Sequence, residues 1–319
     1  MAANPFSQLV APRYPSAAVG IESSNATVVY LDYRRREGFV LRRAATVSLP
    51  AGLVTPNYDE QNIQDMNALA QSLSDVALGA GLGRQHKWSV ALPEAATRTL
   101  ILTLENAPTT RGELEEVMRW KIERGFGVTL EELRVSRDKL KPDAQGRARY
   151  IVTGMRQEVL DEYEATFAAL GWRAGLILPR HMGEARWLER SAPVGDALLL
   201  SSHAEGFTAL LVRDKEPLIT RSVMCEDDDR DDELYRLLLF YRDRLAQADG
   251  GATPAASLQN LLVTGEGFDK GHVSQIIAET LDTSVRALSP VELGLAIPSQ
   301  DLSFDAIAAP AGLATLAWK

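Results

Sequence analysis

From Ala18 to Val47 the chain runs through three strand-like, apolar-rich stretches, AVGIE, TVVYLDY and GFVLRRAATVSL. The polar links between them, Ser23-Ser24-Asn25 and Arg35-Arg36-Glu37-Gly38, suit tight turns, so the pattern predicts an antiparallel meander. Between Glu60 and Leu82, Ile63, Met66, Leu69, Ala70, Leu73, Val76 and Ala77 recur at helical spacing before a glycine-rich stop. WSVALP (88–93) and the alternating Thr97–Leu104 read as strands. A helix is predicted from Thr110 to about Arg124, with Thr110 and Glu113 forming a capping box and Leu114, Val117, Met118 and Ile122 facing inward. Strands over Leu133–Leu140 and Arg149–Met155, a helix over Gln157–Leu170 closed by Gly171, and a strand over Arg173–Leu178 follow. This order, βαββαβ, marks 88–180 as an inserted subdomain.

Past a helix over His181–Arg190, strand patterning resumes at Ala197–Val212 and Pro217–Val223. A long helix is predicted over Asp231–Gln247, a loop over Gly250–Ser257, and a strand from Leu261 into a glycine turn ending at Gly267. A helix over Lys270–Leu281, a strand over Val285–Leu288 and an apolar helix over Pro310–Trp318 complete the reading. Residues 1–16, with three prolines and no periodicity, read as an extended arm.

The chain has 319 residues, more than one ordinary core needs, and its 45% hydrophobic and 24% charged composition is that of a soluble globular protein. A net charge of −9 argues against broad attraction to nucleic acid or anionic lipid. The densest basic group, Arg34–Arg36 with Arg42 and Arg43, reads as a solvated hairpin rim. A single cysteine, Cys225, rules out an internal disulfide and fits a reducing compartment. Neither a signal peptide nor an apolar run of roughly 20 residues is evident.

Val19–Asp32 and Ala197–Val212 each read as strand, polar turn, strand, which resembles the opening of each half of an actin-type ATPase. An ordered set of further segments is similar to the PilM family of type IV pilus assembly proteins. These are Gly20-Ile21-Glu22, Trp88–Pro93, Glu113-Leu114-Glu115-Glu116 through Arg119-Trp120, Leu130-Glu131-Glu132, Ala168-Ala169-Leu170-Gly171, Thr220-Arg221 and Thr264-Gly265-Glu266-Gly267. The resemblance covers nearly everything beyond the first fifteen residues. It implies an α/β, actin-like (RNase H-like) two-domain fold with an inserted αβ subdomain in place of the usual second subdomain of the first half. The expected divisions are an arm at 1–16, a first subdomain at 17–87 completed by about 290–319, the insert at 88–180 and a second half at 181–290. The cell-division protein FtsA and the cytoplasmic part of GspL are more distant relatives. FtsA ends in an amphipathic membrane helix; the terminus APAGLATLAWK has little basic face and argues against direct membrane insertion.

Against an actin-type phosphate grip, the turns carry unsuited residues. The first has Glu22 for the expected Asp, Ser24 for the Gly, and Val29 at the usual basic position. An added methylene displaces a carboxylate by about an ångström, which positioned chemistry tolerates poorly. The second turn reads Leu200-Ser201-Ser202-His203, without a carboxylate before Glu205. His203 as a general base competes with a surface or hydrogen-bonded role. Gly265 and Gly267 could admit adenine and ribose, or simply serve a strand-to-helix turn. The degenerate nucleotide set is therefore Glu22, Ser24, Ser202, Gly265 and Gly267, and no catalytic residue is expected. No cofactor is required, with ATP and Mg as the alternative. Histidines 86, 181, 203 and 272 show no zinc spacing, so no metal site is expected. The seven acids of Glu226–Glu233 lack calcium-loop geometry and suit a solvated helix start.

The resemblance further implies a cytoplasmic protein at the inner face of the inner membrane. Its partner would be the short N-terminal tail of a PilN-like membrane protein, with pilus motor ATPases and the wider assembly platform beyond. The expected groove lies between the first subdomain and the insert. Its nominated residues are Leu114, Met118, Arg119, Trp120, Ile122 and Phe126, with Arg124 a further cation for an acidic tail and Trp120 off the inner face. An ATP-binding or ATP-hydrolysing member of the actin superfamily is the competing class. A sugar or acetate kinase relative would need a catalytic Asp in the first half, and none is placed for it.

Overall fold

A computed structural model describes residues 13–105, 108–191, 195–245, 258–298 and 302–318. The first meander forms as the strand-like runs and polar turns predict. β1 (Ala17–Ile21), β2 (Asn25–Arg34) and β3 (Gly38–Ser48) pair antiparallel, with Val19 opposite Val28 and Val28 opposite Ala45. β4 (Lys87–Leu92) then adds parallel to β1, and β8 (Arg173–Pro179) parallel to β4. With β13 (Leu295–Ala296) beside β3, the sheet order is β13-β3-β2-β1-β4-β8.

The second half repeats the plan. β9 (Asp196–His203), β10 (Gly206–Arg213) and β11 (Glu216–Met224) form an antiparallel meander, and β12 (Leu258–Thr264) joins parallel to β9, giving β11-β10-β9-β12. Two meanders, each extended by parallel strands, make the fold actin-like.

Helices cover both faces of each sheet. On the outer face of the first lie α1 (Met66–Gly79) and α3 (Gln157–Ala169), whose Leu69, Leu73, Tyr163 and Phe167 pack with Trp88 and Trp172. The outer face of the second is covered by α5 (Arg230–Phe240) and α6 (Lys270–Leu281) through Leu234, Leu238, Val273 and Ile277. The inner faces share one core. α4 (Arg180–Ser191) and α7 (Phe304–Ala314) lie between the sheets, and Trp187, Ile307 and Ala311 touch Val29 and Leu31 on one side and Leu199 and Leu210 on the other. The helices cross at glycines: a Cβ on Gly312 would sit 1.8 Å from the Gly183 carbonyl oxygen, and one on Gly183 2.2 Å from that of Ala309.

The insert is smaller than 88–180. Its three-stranded sheet, β5-β7-β6, takes only β5 (Arg98–Thr103), β6 (Leu133–Leu140) and β7 (Arg149–Arg156), backed by α2 (Arg111–Phe126). β4, β8 and α3 belong to the first sheet and its core. WSVAL is buried along its whole length, as a parallel interior strand is. Element order alone could not say which sheet it joins.

Other boundaries shift for local reasons. α1 starts at Met66, where the Asp65 carboxylate accepts from the Asn67 and Ala68 amides, leaving Ile63 in the preceding loop. At the start of α2, Thr110 Oγ1 accepts from the Glu113 amide as expected, but the Glu113 carboxylate takes the Thr109 N–H at 2.7 Å. The capping box is thus displaced by one residue. Val285–Leu288 is not a strand; only Ala287 bridges to Leu261. The predicted Asp231 helix gives way to a π-helical turn over Tyr241–Leu245, and residues 246–257 lie outside the described set, as does most of the arm at 1–16. Pro310 lies inside α7 rather than at its start, with its ring against Gly20, where a Cβ would come within 3.2 Å.

Gly312→Ala is expected to destabilise the chain by about 1–3 kcal/mol, because backbone rather than a movable side chain opposes the added methyl. Gly112→Ala, near only Thr110 Oγ1 at 3.9 Å, should be neutral or stabilising. Denaturant melts of both variants check the contrast.

Candidate functional site

Between the lobes lies a cleft of about 390 Å³, entered between the β1–β2 and β9–β10 turns. Its lining includes all five sequence-nominated residues, Glu22, Ser24, Ser202, Gly265 and Gly267, and also two buried cations, Arg180 and Arg230. The nominated residues are engaged with the chain itself. The Glu22 carboxylate meets Arg180 Nη1 at 3.1 Å, and Arg180 also donates through Nε and Nη2 to Glu184, the closer contact being 2.8 Å. Burial raises the Glu22 pKa, with Arg180 opposing the rise. Burial would lower that of Arg180, yet Glu184 and Glu22 hold it above its ordinary range.

Ser202 is fully buried and bonded to Arg230 and to the Glu266 carbonyl. Arg230 Nη1 and Nη2 reach the Gly206 and His203 carbonyls at 2.8 and 2.9 Å. Ser24 uses its carbonyl for the Leu49 amide and its hydroxyl for Asn25. It is not among the positive-φ residues, so its turn lacks the left-handed backbone of an amide cradle. Gly265 and Gly267 do have positive φ, +80° and +106°. A Cβ on Gly265 would sit 2.1 Å from the Ser202 carbonyl oxygen, and one on Gly267 2.8 Å from Arg230. Close packing of the chain on itself therefore accounts for both glycines.

Behind the cleft, His181 Nδ1 meets Glu94 at 2.7 Å, with both groups buried. Burial alone would raise the Glu94 carboxyl, but the charge and hydrogen bond of His181 bring it down to about 2. His203 is buried rather than on the surface, bonded through Nδ1 to Glu205 at 3.1 Å. Around the cleft, Glu22, Asp227, Glu266 and Asp305 outnumber Arg180 and Arg230, so the lining has an excess of negative charge. That disfavours a bare triphosphate. No cluster of His, Cys, Asp and Glu among the described residues has the arrangement of a metal site.

The two arginines were missed in sequence. Arg230 stands alone among the seven acids of 226–233 yet is only 3% exposed, and that isolation was the available signal. Arg180 follows a strand-ending proline and has no such mark.

A second concavity, about 230 Å³, separates the insert from the first lobe. β8 ends the first sheet and β6 ends the insert sheet, so each presents an edge without a ladder partner among the described residues. Arg134–Ser136 and Leu176–Pro179 line the two walls, with Leu92, Met155 and Leu160 adding apolar surface. This concavity lies between the first lobe and the insert, and none of the six nominated residues lines it. Met118, Ile122 and Phe126 are buried with Val152 and Leu133 in the insert's own core, and Leu114 packs against it half-buried. A helix stripe reads the same whether it faces a core or a ligand. Arg119 is exposed but paired with Glu123 and Glu131. Trp120 is 55% exposed, as its position off the inner face implied, and Arg124 lies 5.3 Å from its ring centroid.

Among the described residues no helix is long and apolar enough to cross a membrane. No family model matches the chain, and no curated protein does. Among solved structures it is similar, over 97% of its length and all of the other chain, to a "PilM-PilN type IV pilus biogenesis complex", at 20% identity and a TM-score of 0.75. It is more distantly similar to the ethanolamine utilization protein EutJ of Carboxydothermus hydrogenoformans (10% identity, 96% and 92% coverage, TM-score 0.48). A protein of Bacteroides thetaiotaomicron described as having an actin-like ATPase fold stands at 12% identity, 91% and 95% coverage, and a TM-score of 0.46. The first likeness carries the fold, and the resemblance to PilM read from the sequence holds at that level.

Glu94 gives a pH prediction. Its folded pKa, about 2, lies below the ordinary glutamate value of 4.5, so it stabilises the fold above the unfolded pKa and loses that contribution as pH falls through about 2. Glu94→Gln should be less stable at pH 7 and should lack this part of the acid slope between about pH 4.5 and 2, measured as denaturation free energy against pH. An unchanged acid slope in the variant would contradict the assignment.

Proposed function

We propose that the chain is a scaffold of type IV pilus or related secretion assembly. In this reading it docks the N-terminal cytoplasmic tail of a PilN-like membrane protein and does not hydrolyse ATP. One observation carries it: two strand edges without ladder partners among the described residues, β6 and β8, flank a groove of mixed polar and apolar lining between the insert and the first lobe. An extended peptide adds to such an edge through main-chain hydrogen bonds, while alternate side chains enter the apolar wall. The likeness to a PilM–PilN complex supports the choice of partner. The cleft supports the non-catalytic half of the reading, because Glu22 and Ser202 are bound to Arg180 and Arg230 and the lining has excess acid.

A second reading, binding of Mg·ATP without turnover, draws on the cleft's 390 Å³, within the roughly 300–1,000 Å³ of small-molecule sites.

Titration calorimetry with a synthetic peptide of the PilN-like protein's first residues tests the first reading. Saturable binding is expected, weakened about tenfold or more by Ser136→Trp, which places a large side chain at an exposed position of the β6 wall. Equal affinity of the variant would remove the groove as the docking site. Phosphate release from Mg·ATP by the wild-type chain, abolished by Glu22→Ala, would overturn the non-catalytic assignment.

A further inference from the structure

The insert touches more than the lobe from which it emerges. Its strand β5 lies beside β11, the edge strand of the second lobe. At the start of β7, Arg149 Nη2 donates to the Pro217 and Leu218 carbonyls of β11 at 2.7 and 3.0 Å. Arg149 is 8% exposed, and no carboxylate among the described residues pairs with it. Beside it, the Lys141 amide and ammonium both meet Glu216, each at 3.3 Å. A nearly buried guanidinium satisfied by backbone oxygens binds only where those oxygens are held, so its bonds report the position of β11.

β11 carries that position to the cleft. It pairs with β10 from Arg213↔Glu216 to Gly206↔Met224. At its far end the Cys225 amide donates to the Glu205 carbonyl at 3.2 Å, and Arg230 grips the Gly206 carbonyl. The chain crosses between the insert and the first lobe at two short links, the Pro93–Thr97 turn and the Arg156–Gln157 junction, and Tyr58 of the first lobe packs in the insert's core against Phe126. One side of it forms a groove wall through Arg134–Ser136, and its β5 edge rests on the second lobe.

We propose that Arg149 is a positioning residue that latches the insert to β11, so that a peptide entering the groove is registered at the cleft turn Ala204–Gly206. This coupling rests on the docking reading. A peptide wedged between β6 and β8 displaces the insert about its two links, and the latch converts that displacement into movement of β11 along the ladder to the turn. Reciprocity follows: whatever favours one position of the cleft turn alters affinity in the groove by the same factor.

Hydrogen exchange of the full chain, with and without the PilN-like tail peptide, tests the latch in wild type, Arg149→Ala and Arg149→Lys. The lysine variant keeps the charge and most of the stem, which guards against simple loss of the fold. In all three, the peptide should protect 134–136 and 174–179. In wild type it should also change exchange at 203–206 by about fivefold or more, a change that falls below about twofold in Arg149→Ala and is intermediate in Arg149→Lys. Without peptide, Arg149→Ala should exchange faster over 216–220. A remote change that survives in both variants, or is absent from wild type while the groove is protected, overturns the coupling. Failure of the peptide to protect the groove in wild type overturns the docking reading and the coupling with it. Equal peptide-free exchange over 216–220 in wild type and Arg149→Ala overturns the latch itself.

Discussion

The Arg180 guanidinium, buried where the two lobes meet, is the constraint on which the rest turns. Its bonds to Glu184 and Glu22 join the first residue of α4 to the first lobe's opening turn. Removing Arg180 would leave two carboxylates in a low-dielectric joint without their cation, a loss of about 3–5 kcal/mol for a typical buried pair. Around it the Glu94–His181 pair and the Gly183–Gly312 crossing fix α4 and α7 between the sheets. In an actin-type enzyme the space between the opening turns grips phosphate. Here Glu22 at the first turn is bonded to Arg180, and Ser202 before the second is bonded to Arg230.

In the proposed reading the edges of β6 and β8, without ladder partners among the described residues, are the feature that a peptide completes. Free strand edges are a liability that proteins usually cover or charge. Two of them flanking one groove suit a third strand as the occupant. The insert, clipped by Arg149 to the second lobe, holds one wall in place.

Much of this was legible in the sequence, for identifiable reasons. Strand-like runs broken by polar turns placed both meanders, and the Thr110 cap and Gly171 stop placed helix ends, because these signals are local. Glu22 and Ser202 were singled out in the sequence, and both are bonded to arginine. What escaped depends on distance. Nothing near Arg180 announces that it will meet Glu22, some 160 positions earlier in the chain. The Met118–Ile122–Phe126 stripe is correct as an apolar helix face, yet the same stripe serves a core or a partner, and here it serves the core. The concavity beside the insert is lined by Val135, Met155 and Leu178, residues whose strands looked unremarkable until their sheets were known.

Methyl NMR of the chain titrated with the PilN-like tail peptide locates the docking surface most directly. The account predicts shifts concentrated at Val135, Met155, Leu160, Ile177 and Leu178. Shifts confined to the cleft wall at Ala204, Ala306 and Ala309, with the groove methyls unmoved, would contradict it.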